Sequence, residues 1–253
     1  MVKFRIIPKL LLQNGRNVKG TKFTQMRDTG NPVSNAKIFE AMDVDELIFL
    51  DIDASVEGRG TLIKTIEKAS EEIFMPFCVG GGIRAVSDIR DLLNSGADKV
   101  SINSALVTEP GLVESGVSLF GSQCIVASID YRMEGGRARV YIRGGTEATE
   151  LEAFEHATDM VRRGAGEILL TSIDRDGTME GYDIEMIRRV ADAVEVPVVA
   201  SGGAGTLQHL ADAIHLGHAS AVSIGSLFNF TDQSPIKARA FMRVQGIHVR
   251  ADL

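Results

Sequence analysis

Two glycine turns and a set of aspartates in this chain have the types and spacing to hold anions and to move protons. VGGGIR (79–84) and ASGGAGT (200–206) each place consecutive glycines at the end of an apolar run, where backbone can approach an anion and offer free N–H groups. Gly225-Ser226 follows a further apolar run, AVSIG, just before a helix-like segment whose aligned dipoles favour phosphate. A lone Gly-Gly reads as a tight turn. Two matched clusters and a Gly-Ser on one face imply a ligand with a phosphate at each end. Candidate acids are Asp51, Asp53, Asp130, Asp174 and Asp176. General acid–base work needs a carboxylate that faces a pocket and is tuned by its neighbours, and alternation along the runs favours Asp130 and Asp176. The competing role for each is to cap a helix or order a loop. Lys19 is a candidate phosphate ligand or a solvated surface lysine.

Other chemistries find no footing. His209, His215 and His218 lie on or just after one helical stretch, and His156 and His248 stand alone. There is no H-E-x-x-H, no C-x-x-C, no Walker loop and no G-x-S-x-G with triad partners, so neither a metal nor a cofactor is expected. A net charge of −7 and a pI near 5.3 argue against nucleic acid or a membrane surface as partner. No apolar run approaches the roughly 18–20 residues that cross a bilayer, and MVKFRIIPKLLL lacks a signal-peptide cleavage pattern. Cys78 and Cys124 both sit in apolar runs and read as buried reduced thiols, which fits a reducing cytoplasm.

The elements that must position these residues alternate from end to end. Strand-like runs cover 4–12, 46–52, 76–80, 99–103, 124–130, 167–173, 196–201 and 221–225. Helix-like segments lie near 33–44, 60–73, 86–95, 109–119, 150–163, 184–194, 206–216 and 235–245. Such alternation implies βαβ units and a parallel sheet, and eight units in 253 residues match a single (β/α)₈ TIM barrel domain over residues 1–253. An open doubly wound sheet is the alternative; it usually carries one dominant Gly-rich turn after its first strand. YRMEGGRARVYIRGG (131–145) reads as a hairpin inserted after the fifth strand. Gly81 and Gly203 stand 122 residues apart and Asp53 and Asp176 stand 123 apart, as expected of two half-barrel repeats. A similar offset, 119 residues, pairs Asp130 with Leu11. The doubled plan predicts two facing carboxylates, and this chain supplies one. At the opposite end, Arg5, Glu46, Lys99 and Glu167 stand where strands begin. They are either separate solvated charges or, pointing inward, a salt-bridged ring closing the barrel floor.

The motifs RIIP, NGRNVKG, DELIFLDI, VGGGIR, GADKVSINSA, FGSQCIV, GAGEILLTSIDRDGT, GYD and ASGGAG span nearly the whole chain. Together they resemble the cyclase subunit of imidazole glycerol phosphate synthase, from histidine biosynthesis. The resemblance implies a (β/α)₈ barrel of two half-barrels with a glutaminase docked on its N-terminal face. Ammonia passes a charged gate and the barrel interior to a doubly phosphorylated ribonucleotide, giving imidazole glycerol phosphate and an aminoimidazole carboxamide ribotide. The gate corresponds to Arg5, Glu46, Lys99 and Glu167. Implied phosphate positions are Gly82, Asn103 and Ser104 at one site and Gly177, Gly203, Gly225 and Ser226 at the other. Lys19, Asp51, Asp53 and Asp176 complete the pocket, and Asp130 matches one of two essential acids.

The other acid falls at Leu11. The family pattern I-P-C-L-D-V-K-D-G-R-V-V-K-G stands here as IPKLLLQNGRNVKG, so Lys9, Leu11 and Asn14 depart, and Asp53 replaces the threonine of D-I-T-A-S. Leucine holds no proton, and losing an acid–base group costs about 10²–10⁴-fold in rate. An intact gate with a missing acid implies a divergent relative that conducts ammonia for a third amidotransferase protein, in amidation of nucleotide sugars for surface polysaccharides. The alternatives are a working cyclase in which Asp53 or Lys9 substitutes, and a two-phosphate sugar isomerase, which also wants an acid after the first strand.

Overall fold

The computed structural model describes residues 3–250; Met1, Val2 and Ala251–Leu253, the ends of the expected 1–253 unit, lie outside the described residues. The strands are β1 (Arg5–Gln13), β2 (Arg16–Thr21), β3 (Thr24–Gly30), β4 (Leu47–Asp51), β5 (Phe77–Gly80) and β6 (Lys99–Ile102). They continue as β7 (Ile125–Glu134), β8 (Arg137–Ile142), β9 (Glu147–Glu152), β10 (Glu167–Ser172), β11 (Val198–Ser201) and β12 (Ala221–Ile224). Eight of them form a parallel ring in the order β1, β4, β5, β6, β7, β10, β11, β12. The ring closes because β1 pairs with both β4 and β12, and β10 with both β7 and β11. Closure excludes the open doubly wound sheet. Helices connect the staves, as the eight-unit alternation requires.

Side-chain alternation divides each stave between two cores. Ile6, Leu10 and Leu12 face outward against the helices, in a layer that includes the edge-to-face pair Phe49–Phe77 at 5.8 Å. Ile7, Ile48, Cys78, Val126, Leu169, Val199 and Ala221 turn inward and fill one level of the barrel, with Leu50 against them. Arg5 and Lys9 flank Ile7 on the same face of β1, one below that apolar level and one above it.

The expected strands and helices are present, with differences at the barrel mouth. β7 runs four residues past Asp130 and pairs antiparallel with β8 around Gly135-Gly136, as the hairpin reading requires. It acquires a third strand, β9, because Glu147–Glu152 extends along β8 before the helix Ala153–Arg162 begins. The segment after β1, which carries no strand-like apolar run, is a meander. Asn14-Gly15 makes a two-residue turn with both φ positive (50° and 72°), setting Leu12 opposite Asn17 and Gln13 opposite Arg16. β3 then returns along β2 through a bend in which Lys22, Phe23 and Gln25 all adopt positive φ.

Leu10 has no exposed surface and belongs to the apolar layer between barrel and helices. Leu10→Ala should therefore cost about 2–5 kcal/mol in urea denaturation; a loss below about 1 kcal/mol would mean the layer between barrel and helices collapses to refill the space.

Candidate active site at the barrel mouth

Charged residues that begin staves meet at the floor. Arg5 donates through Nη1 to Glu46 Oε2 at 2.6 Å and through Nη2 to Glu167 Oε1. Lys99 Nζ closes the ring, 3.0 Å from both Glu46 oxygens and 2.8 Å from Glu167 Oε2. The glutamates are buried, and the cations keep about a fifth of their side-chain surface. Burial alone would raise the Glu167 carboxyl, but Arg5 and Lys99 outweigh it and hold it below its ordinary range. The inward-pointing alternative for the quartet is the one seen. Above it lies the apolar level, where burial pushes the Cys78 thiol well up.

The next level is polar and buried: Lys9, Ser101, Ser128, Thr171, Ser201 and Ser223. Lys9 points up from β1, away from the floor. Its Nζ donates to Ser201 Oγ at 2.8 Å and lies 3.7 Å from Asp176 Oδ1. Lys19, on β2, reaches the same carboxylate with Nζ 2.6 Å from Asp176 Oδ2. Burial would raise Asp176, yet the two ammonium groups hold it below the usual carboxylate range. Burial lowers the Lys19 ammonium, with Asp176 opposing. Lys19 is thus neither surface nor solvated, and its reach comes from the meander that carries β2 over the barrel rim.

Around this cluster, Gly177, Gly202, Gly203, Gly225, Ser223 and Ser226 form a small concave pocket with Lys9 and Asp176 in its wall. Gly203 has φ of 117°, and a Cβ there would collide with the Gly181 carbonyl, so the turn can be made only by glycine. Ser223 Oγ and Ser226 Oγ are buried in this pocket without a hydrogen-bond partner. The four positions of the second expected phosphate site therefore come together.

On the other side of Lys9 opens a larger cavity of about 230 Å³. Leu11 and Asp130 both line it, as their matched places on two staves predict, with Leu50, Phe23 and Met26 beside them. Burial raises the Asp130 carboxyl to about 6, against the pull of the Lys9 ammonium, and Asn103 Nδ2 donates to it at 3.2 Å. Asp53 lines the same cavity but binds its own neighbours, accepting from Gln13 Nε2 at 3.0 Å and Asn14 N at 3.2 Å. Asp51 is gripped by Arg59 at 2.6 and 3.0 Å and accepts from the backbone of Ala54 and Leu62. Asp174 accepts from Met133 N, 2.8 Å away, and so orders the β7 extension. Gly82, Asn103 and Ser104 lie on this side, where Gly82 N donates to Ser55 Oγ at 3.2 Å and Ser104 Oγ accepts from Arg143 N at 3.0 Å.

The model of the histidine biosynthesis protein family matches residues 5–234 of the 253. The chain belongs to that family. The match covers all eight staves and both glycine turns of the barrel. Among its described residues no group of three or more His, Cys, Asp or Glu could hold a metal ion, and no helix is long and apolar enough to cross a membrane. Sequence reasoning missed the inward hydroxyls and left the direction of Lys9 open. The available signal was parity: Lys9 shares the inward face of β1 with Arg5 and Leu11, four residues above one and two below the other.

A buried carboxyl whose folded-state pKa is raised keeps a proton the unfolded chain has already released. Its contribution therefore falls as pH rises from about 4 to about 6. Asp130→Asn should remove that loss, making the variant more stable than the parent by roughly 2–3 kcal/mol at pH 7, with the gap narrowing toward pH 4. Paired urea denaturations across this range check it, and a gap that does not change with pH would refute the raised value.

Proposed function

We propose that this barrel conducts ammonia released by a glutaminase docked on its floor and does not itself cyclise a nucleotide. On this reading the ammonia serves a third amidotransferase protein that amidates a nucleotide sugar in surface-polysaccharide (lipopolysaccharide O-antigen) biosynthesis. The chain works as one cytoplasmic domain over residues 1–253. The observation that carries the proposal is Leu11, an apolar side chain across the cavity from Asp130, in a barrel whose charged floor ring is complete.

Physical chemistry along the axis supports a route for NH₃. On this reading the closed ring of Arg5, Glu46, Lys99 and Glu167 bars bulk ions. The apolar level above it penalises ammonium, whose desolvation costs several kcal/mol, far more than it penalises neutral ammonia. Beyond it, buried hydroxyls accept and donate, and Ser101 Oγ has no partner. The floor face also exposes apolar groups suited to a docked protein. Phe74 is 89 % exposed between the helix Ile63–Glu72 and β5, and Leu119, Leu216 and Val244 are exposed at the same end of their helices. The glycine turns after β5 and β11 occupy equivalent places, which supports reading the barrel as two half-barrel repeats.

A working cyclase, with its lyase chemistry, is favoured by one observation: Asp130 is tuned into the range useful for acid–base work. Its missing partner is not supplied. Asp53 has an oxygen committed to each of Gln13 and Asn14, and Lys9 is held by Ser201 and Asp176. The sugar isomerase requires the same absent acid and leaves the floor ring without a task.

The purified chain with ammonium salt and the doubly phosphorylated ribonucleotide should turn over at least about 10²-fold more slowly than Leu11→Asp, if that variant restores cyclisation. Added to its glutaminase, the unaltered chain should still raise glutamine hydrolysis. Robust ammonia-dependent cyclisation by the unaltered chain would sink the proposal.

A further inference from the structure

Lys9 and Lys19 are buried amines that share one carboxylate, and their grips on it are unequal. Lys19 Nζ lies 2.6 Å from Asp176 Oδ2 and also donates to the Gly20 carbonyl at 3.2 Å. Lys9 Nζ lies 3.7 Å from Asp176 Oδ1, and its 2.8 Å partner is the Ser201 hydroxyl. Neither lysine pairs with another carboxylate among the described residues. Burial, and after it the Lys9 ammonium, lowers Lys19 against the pull of Asp176, so the two charges are crowded. A neutral amine at Lys9 would keep its hydrogen bond to Ser201 and leave Asp176 to Lys19. Withdrawal from water and crowding by a second cation are two ways in which a protein turns a lysine into a nucleophile.

The surroundings of Lys9 suit an attack on a carbonyl. Of the described lining residues, Lys9 alone belongs to both the pocket at Gly203 and the larger cavity. On the first side, Ser223 Oγ and Ser226 Oγ are buried without partners beside the glycine turn. On the other, the cavity of about 230 Å³ has room for a short carbon chain, and Ser101 Oγ in its wall is likewise unpartnered. Asp130 lines that cavity, near enough for the Lys9 ammonium to oppose the rise that burial imposes on its carboxyl. An amine, a carboxyl able to trade protons and unpartnered hydroxyls thus converge on one space. The family pattern has cysteine where Lys9 stands, and a thiol forms no imine, so this chemistry does not come with the barrel.

We propose that Lys9 is a Schiff-base nucleophile for a short ketone or aldehyde that carries a phosphate. The ammonium first gives one proton to the Asp130 carboxylate. The freed Nζ lone pair then forms a C–N bond at the carbonyl carbon while the C–O π electrons pass to oxygen. A second nitrogen proton follows to that oxygen, and the Asp130 proton leaves with the hydroxyl as water. Charge is conserved, since an ammonium and a carbonyl become an iminium and water. Asp130 next takes a proton from the carbon beside the iminium, giving an enamine, and returns it without any oxidant or reductant. These steps need no ammonia, so they stand or fall separately from conduction through the barrel.

Borohydride reduction of the full chain mixed with dihydroxyacetone phosphate or ribulose 5-phosphate tests this. One reduced adduct per chain is expected, and peptide mapping should place it on Lys9. Lys9→Arg, which keeps the positive charge, should abolish that adduct; if Lys9→Arg fails to fold, Lys9→Met takes its place. Unphosphorylated dihydroxyacetone should label at least about tenfold less at equal concentration. In deuterated water the chain should exchange the protons beside the ketose carbonyl. Asp130→Asn should slow that exchange at least about 10²-fold while still forming some adduct. No adduct with either ketose phosphate would overturn the proposal, as would labelling of Lys19 or surface lysines in preference to Lys9. Equal labelling by dihydroxyacetone, or exchange undiminished in Asp130→Asn, would overturn it as well.

Discussion

A charge inside a closed parallel barrel has no access to water, and the site at this mouth follows from how the chain compensates three such charges. Lys9, Lys19 and Asp176 are each less than 5 % exposed, and no single pairing among them balances. Two ammonium groups to one carboxylate leave an excess that must be offset by neighbouring dipoles, by Asp130, or by something bound. The chain supplies part of this through Ser201 and the Gly20 carbonyl. The rest of the demand faces the pocket at Gly203 and Ser226. That arrangement rests on the β1–β2 hairpin. Only a turn directly after β1 brings Lys19 back over the rim to meet a carboxylate that arrives 157 residues later.

The same constraint explains why the interior is layered. Charges occur at the floor, where four of them pair in a ring and keep some solvent contact, and again near the mouth. Between them the inward positions are hydrocarbon apart from the Cys78 thiol. A neutral molecule with hydrogen-bonding capacity crosses such a sequence of levels at less cost than an ion, because the apolar level is thin and hydroxyls begin immediately above it. In the proposed function the floor ring serves as a filter whose selectivity is completed by the level behind it. Neither part would discriminate well alone.

What could be read in the sequence follows the range of the interactions involved. The eight staves were legible because each is an apolar run bounded by turn residues, and the β7–β8 hairpin because Gly135-Gly136 sits within a clean alternation. β3, TQMRDTG, was not legible: it has no apolar run, is largely exposed, and is a strand only because β2 offers its edge. The inward direction of Arg5, Glu46, Lys99 and Glu167 needed either a family resemblance or parity counted from a known inward residue. Asp51 looked catalytic by position, yet its partner is Arg59, eight residues away in a segment with no periodic signature. Lys9 was hardest. Its partners, Ser201 on β11 and Asp176 in the loop after β10, come from the other end of the chain, and no local pattern encodes them.

Leu11 and Lys9 are best understood together. They are neighbours on the inward face of one stave, and each replaces a residue of different polarity in the family pattern. An acid at position 11 beside a lysine at position 9 would form an internal pair, drawing the ammonium toward the larger cavity. With leucine at 11, Lys9 has no reason to lean that way and is held instead by Ser201 and Asp176, adding its charge to the anion pocket. One substitution removes a proton-transfer group, and the other redirects charge from the centre of the mouth to one side. The pair makes the mouth unequal about the barrel axis: Lys9 and Lys19 converge on Asp176 at one side, while Leu11, Asp53 and Asp130 face the larger cavity at the other. A ligand bound here would be oriented by that polarity before any chemistry begins.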